Sequence, residues 1–149
     1  MLPTLGKANG MTSDAASITS EQYQRLWDPD LEGGYPANHF AFRQVLNVLH
    51  DRGAETLIEI GVGGGRAIPI FTAAGLDMYG VDNDPVMVET SAQAMTAAGL
   101  PSERASWADI EDSVSLSNAR RSGPYDALLA MGVLPHVGHE RVALENMYS

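Results

Sequence analysis

Between Thr56 and Asp84 the chain reads TLIEIGVGGGRAIPIFTAAGLDMYGVDND, and this stretch limits the possible folds more than any other. An apolar run of strand type (Leu57, Ile58, Ile60) gives way to Gly61, Gly63 and Gly65. Arg66 to Ala74 then has the composition of a helix stopped by Gly75. A second short run, Met78 to Val81, ends in Asp82, 21 positions beyond Gly61. Strand, glycine loop, helix and strand make a βαβ unit, and a right-handed crossover lays the second strand beside the first. The loop and the acid then face one cleft at the carboxyl ends of parallel strands, where open α/β sheets keep their sites.

Glycines at alternate positions let the backbone approach a ligand closely, because no Cβ stands in the way. An acid at the end of the second strand is a double acceptor suited to a ribose diol. Together they describe a nucleoside-bearing ligand. A dinucleotide fingerprint would carry a small residue where Arg66 stands, and Gly65 comes one residue early for it. Glu59, two residues before Gly61, would also set a carboxylate close to a pyrophosphate, which like-charge repulsion disfavours. It suits a ligand with an amine.

The series Glu59-x-Gly61-x-Gly63-x-Gly65, followed by Val81-Asp82, resembles the first two motifs of class I S-adenosylmethionine (SAM) dependent methyltransferases, in their small-molecule form. The resemblance implies an α/β, Rossmann-like parallel sheet with helices on both faces. It places SAM with Asp82 on the ribose hydroxyls, Asn83 beside the adenine, Glu59 near the methionine amine, and Gly61, Gly63 and Gly65 in backbone contact. Asp109-Ile110 resembles the family's motif at the adenine, where the acid accepts the exocyclic amine and the next residue covers the ring. The other reading of Asp109 is a cap on the turn that follows, with Glu111 and Asp112 adjacent. Met131 and His136 match by position the region after the fourth strand, which borders the transferred methyl. His136 is the candidate base if the acceptor is a hydroxyl, because imidazole titrates near neutral pH; a surface histidine without a role is the alternative.

A net charge of −10 with nine scattered Lys and Arg argues against a nucleic-acid partner, since such binding needs clustered basic residues. A small-molecule acceptor is the expectation. There is no cysteine, hence no disulfide, thiolate metal site or cysteine nucleophile. No run approaches membrane-spanning length and Met1 to Ser20 lacks the apolar stretch of a signal peptide, so no membrane and a cytoplasmic location are expected.

Along the chain, residues 1–17 read as a flexible tail and 18–53 as an N-terminal helical lid. Residues 54–149 read as the SAM-binding domain. In the lid, Thr19 and Gln22 have capping-box spacing for a helix through Trp27. Asn38 can cap a second helix that packs on the sheet through Phe42, Val45, Leu46 and Leu49. Tyr23, Trp27, Tyr35 and His39 are candidate contacts to the cofactor, each equally at home in ordinary packing. Asp84-Pro85 opens a helix that runs to Gly99. Further strands are expected over Arg104 to Asp109 and Tyr125 to Met131, the latter continuing through Gly132 to His136. A short helix is expected around Ser117 to Arg121, and another from His139 to the terminus.

The family's sheet has strand order 3-2-1-4-5-7-6, and the resemblance covers 3-2-1-4. The chain is thus expected to hold the N-terminal portion of the fold, with the fourth strand as an open edge through which two copies could associate. It reads as a fragment, as a chain completed by a partner, or as a natural truncation; a last helix without a stop favours the first. Two functions follow: methyl transfer to an O or N atom of a small molecule, or a non-catalytic SAM-binding or assembly domain. A nicotinamide oxidoreductase is disfavoured by Arg66 and Glu59.

Overall fold

The computed structural model describes residues 37–120 and 123–149. The expected tail, the helix opened at Thr19, Tyr23, Trp27, Tyr35 and the side chain of His39 lie outside the described residues. In chain order the elements are α1 (Ala37–Asp51), β1 (Thr56–Ile60), α2 (Ala67–Ala73), β2 (Asp77–Asp82) and α3 (Pro85–Ala97). There follow a 3-10 turn (Ser102–Arg104), β3 (Ala105–Trp107), α4 (Ser113–Ala119), β4 (Ala127–Ala130), a second 3-10 turn (Leu134–His136) and α5 (Glu140–Tyr148).

The four strands form one parallel sheet in the order β3-β2-β1-β4, as the resemblance implies. Ile60 pairs with Val81 and Ala130, so β1, β2 and β4 end level, with the glycine loop leaving from the centre. Alternation along β1 sends side chains to two cores. Leu57 joins Met78, Ile68, Phe71 and Met95 beneath α2 and α3, while Ile58 and Ile60 join Val81, Leu116, Ala143 and Met147 beneath α4 and α5. Full burial of a Leu, Ile or Phe side chain stabilises by about 1.5–3 kcal/mol, and both cores draw on the same five-residue strand. That is why the loop after it has a fixed base.

On the first face α1 contributes Phe42 and Leu49, and the Phe42 ring meets Phe71 edge-on at 5.7 Å. The second expected helix is therefore present and packs through the residues whose spacing marked it. At the opposite end of β1, the Asp126 carboxylate accepts from the Glu55 and Thr56 amides and from the Thr56 hydroxyl, each at 2.9 Å, joining β1 to the entry of β4. These bonds hold its pKa below the usual carboxylate range. Arg104 pairs with Asp77 and lies 4.7 Å from the Tyr79 ring centroid, fastening the turn before β3 to the start of β2.

α1 already includes Ala37, so Asn38 lies inside its first turn and is not its cap, and three further boundaries differ from expectation. β3 is three residues long because only the Ala108 amide continues the ladder, onto the Asp82 carbonyl, before Asp109 enters a turn. β4 stops at Ala130, and Gly132 at φ +69° sends the chain into the Leu134–His136 turn instead of prolonging the strand. The helix expected around Ser117 to Arg121 starts at Ser113, since Asp112 caps it by accepting from the Val114 amide at 3.0 Å. β4 is an edge of the sheet among the described residues, and Leu128 on it is 36% exposed.

Candidate functional site

The loop after β1 is set by its glycines. Gly61 has φ +70° and its amide bonds the Val81 carbonyl at 2.8 Å, so the chain turns away while still tied to β2. A Cβ on Gly61 would lie 2.6 Å from a γ-methyl of Val133, which reaches over it from the segment after β4. Gly63 has φ +54°, and among the described residues nothing stands within 4 Å of the place its Cβ would take. Here the backbone borders open space. Gly65 does different work: its missing Cβ is replaced by the side chains of Ala94 and Ile68 and the backbone of Ser91, so it lets α3 close onto the loop.

Asp82 joins these parts. Its two carboxylate oxygens accept from the Gly63 and Asp84 amides, each at 2.9 Å, bridging the glycine loop and the turn into α3. Burial pushes its pKa up, and the amide bonds work against that shift. Asp84 in turn caps α3 by accepting from the Val86 amide at 2.9 Å, with Pro85 at the first helical position. Glu59 is 5% exposed and, among the described residues, its Oε2 has no hydrogen-bond partner. Burial first, then repulsion from Asp82, pushes its pKa up to about 8, and Arg66 offsets part of this.

Above the strand ends lies a cleft of about 240 Å³. Gly61 forms part of its floor; Asp82 and Asn83 come from the end of β2, Asp109 and Ile110 from beyond β3, Met131 and His136 from beyond β4. Residues read from four separate places in the sequence thus meet in one cavity. Glu59, Gly63 and Gly65 are not in its lining: Glu59 lies buried in the sheet below, and the two glycines lie along the loop. Met87, Glu111, Val133 and Val137 line the cleft and were not anticipated.

Asp109 caps the turn that follows it, as one of its two readings expected. It faces the cleft, and its Oδ1 also accepts from the Glu111 amide at 2.9 Å, shaping the turn into α4. Two of the cleft's walls are fastened to each other: Glu111 accepts from the Gly138 amide and meets the His139 ring at 2.9 Å, and the Asn146 amide group donates to the Ile110 carbonyl at 2.8 Å. The two bonds to Glu111 hold its pKa low. Trp107, half exposed, donates its indole N–H to the Asn83 carbonyl at 2.9 Å and fixes the rim at the ends of β2 and β3. Among the described residues no cluster of His, Asp and Glu is arranged to hold a metal, and no helix is long and apolar enough to cross a membrane.

Three comparisons bear on this geometry. A family model described as a methyltransferase domain matches residues 58–149. Among solved structures, the chain is similar to magnesium protoporphyrin IX methyltransferase (ChlM) from Synechocystis PCC 6803 with bound SAH, at 17% identity and a TM-score of 0.63, covering 85% of this chain and 60% of that one. It is similar also to the methyltransferase domain of bacterial CtHen1-C, at 20% identity, TM-score 0.57, and 74% and 58% coverage. The YcgJ protein from Bacillus subtilis matches at 17% identity, TM-score 0.56, and 73% and 44% coverage. At such identities the likeness is one of fold, and this chain spans less than two thirds of each of the three. No curated protein matches it. The family model takes in the sheet from Ile58, within β1, onward and every cleft wall described above, and the chain belongs to the methyltransferase-domain family, with the Rossmann-like fold of class I SAM-dependent methyltransferases.

Proposed function

We propose that the cleft binds SAM and that the protein transfers its methyl group to an O or N atom of a small-molecule acceptor. The observation that carries this reading is the convergence on one cleft of Asp82 and Asn83 with Asp109, Ile110, Met131 and His136. The residues suit the ligand on three further counts. Among the described residues, Gly63 leaves open space at a left-handed backbone position, Asp82 offers carboxylate oxygens at the end of β2, and the buried Glu59 oxygen without a partner suits an ammonium. The acidic balance of the chain, −10, favours a small acceptor over a nucleic acid.

SAM supplies a methyl already activated by its sulfonium leaving group. The chain's own residues then have to hold the acceptor in line and keep it there, and orientation of this kind can supply much of the rate. Val133 and Met131 give that end of the cleft an apolar wall, and His136, on the turn after β4, is the group to take a proton from a hydroxyl acceptor. An amine acceptor can lose its proton to solvent.

A thermal-shift panel of SAM, S-adenosylhomocysteine, NAD and NADP tests the cofactor: stabilisation by the first two alone supports the reading, and stabilisation by the nicotinamides alone contradicts it. An acceptor panel then tests turnover, with His136→Gln expected to slow hydroxyl acceptors by about 10²-fold or more and to spare amines. The edge of β4, unpaired among the described residues, favours a second reading, a SAM-binding domain that associates and does not turn over. Dimers in size-exclusion chromatography together with binding but no product would support it.

A further inference from the structure

We propose that Glu111 is a positioning residue: by fastening Gly138 and His139 it holds the turn that carries His136 against the wall beyond β3, and so sets the spacing at which the two walls meet a ligand. This rests on the reading of the cleft as a SAM site and adds what keeps its His136 side in place.

The sheet does not itself join these walls. Asp109, Ile110 and Glu111 follow β3, whereas Met131, Val133 and His136 follow β4, and β2 and β1 run between the two strands. Three strand spacings of about 4.8 Å separate β3 from β4, so the distance between the segments leaving them depends on contacts made above the sheet. Glu111 makes such a contact. Its amide donates to the Asp109 carboxylate at 2.9 Å and the Asp109 amide donates to the Ser115 hydroxyl at 3.0 Å, which fixes the backbone it springs from. Its Oε2 accepts from the Gly138 amide and its Oε1 meets the His139 Nδ1, both at 2.9 Å. A Cβ on Gly138 would stand 3.4 Å from Oε1, so the carboxylate lies against bare backbone. Just before this anchor the turn closes on itself, the His136 amide on the Val133 carbonyl at 2.9 Å and the Val137 amide on the Leu134 carbonyl at 3.3 Å. One residue separates His136 from Gly138, so holding the second restrains the first.

Exposure ranks the contacts. The Glu111 side chain is 28% exposed and that of His139 79%, so water screens the ring pair and the Gly138 amide carries more of the tie. A bond to an ionised acceptor is the stronger kind, and the same contacts keep Glu111 ionised by holding its pKa low. The other bond between these segments, from Asn146 to the Ile110 carbonyl, is made by a residue outside the cleft lining. Glu111 and Asn146 thus secure the same two segments, and Glu111 alone of the pair borders the ligand space.

Calorimetric titration of the full chain with SAM, S-adenosylhomocysteine and 5′-methylthioadenosine tests this, with amide hydrogen exchange at Gly138 read on the same samples. Glu111→Ala should speed that exchange and weaken all three ligands alike, by about tenfold, because a displaced wall does not distinguish their charges. Glu111→Gln, whose amide oxygen still accepts from Gly138, should bind within about threefold of the native chain. Asn146→Ala should weaken binding in the same direction without touching the cleft lining. A loss confined to SAM, the one ligand with a sulfonium, or Glu111→Gln as weak as Glu111→Ala, would make Glu111 a direct ligand contact and overturn the proposal. Faster Gly138 exchange with unchanged affinity would make it a structural tie only and overturn it equally. Each of these leaves the cofactor reading intact. A native chain that binds none of the three ligands would overturn that reading and the proposal with it.

Discussion

Gly61→Ala is the substitution whose cost the structure resolves into two parts. Holding an alanine at φ +70° costs about 1–2 kcal/mol, because its Cβ crowds the following carbonyl. The same Cβ would stand 2.6 Å from a γ-methyl of Val133, closer than two carbons can approach. Valine is stiff about χ1, so relief needs an unfavourable rotamer or a shift of the segment after β4. Overpacking of this kind costs about 1–3 kcal/mol. The sum, about 2–5 kcal/mol, is a large share of the stability of a domain of this size. Val133→Ala removes the obstructing methyl and with it the second part only. A double-mutant cycle read by urea denaturation should therefore show a favourable coupling of about 1–3 kcal/mol, with the backbone part persisting in the double variant. Additive effects, within about 0.5 kcal/mol, would mean that Val133 does not cover the loop and that the cleft wall is misplaced.

Other expectations follow from the same contacts. Asp82→Ala should weaken SAM binding by about 1.5–3 kcal/mol, the worth of hydrogen bonds to a charged group, and should also loosen the loop, since the Gly63 and Asp84 amides lose their acceptor. Calorimetry and thermal melting on the same sample separate the two effects, and unchanged affinity refutes the ribose assignment. Asp126, whose folded pKa is depressed, contributes stability that is fully present above its unfolded value near 3.8 and is lost as the pH falls through the folded pKa. Asp126→Asn should therefore flatten the acid limb of the stability profile below about pH 4, and an unaltered limb would show that the tie between β1 and β4 contributes nothing.

What the sequence made legible, and what it did not, divides along a physical line. The order of the sheet could be read because each strand is a local apolar run and the βαβ crossover admits one hand. The glycine loop and Asp82 could be read because their constraint is also local, a backbone turn followed by a strand end. Asp112 was a readable cap that would have placed α4 four residues earlier. By contrast, nothing local joins Glu111 to Gly138 and His139, or Asn146 to Ile110, across 27 to 36 positions. The same holds for Val133 over Gly61. These contacts exist only because β1, β2 and β4 end level, and they turn a set of strand ends into a walled cleft. The distinct duties of the glycines were hidden for a related reason: Gly63 faces space and Gly65 faces α3, a difference that depends on what the fold brings up to them.

The claim at the centre of this account is that the space over the glycine loop holds SAM, and Gly63→Val tests it most directly. On that reading Gly63 touches the ligand through its backbone, so a valine side chain there, with no described residue within 4 Å of its Cβ, would project into the space the ligand requires. Its left-handed φ of +54° adds a strain that a branched residue avoids. Calorimetric titration of the native chain with SAM should show saturable one-to-one binding. The variant, matched by circular dichroism for an unchanged fold, should show none. Equal affinity in the two proteins would contradict the account.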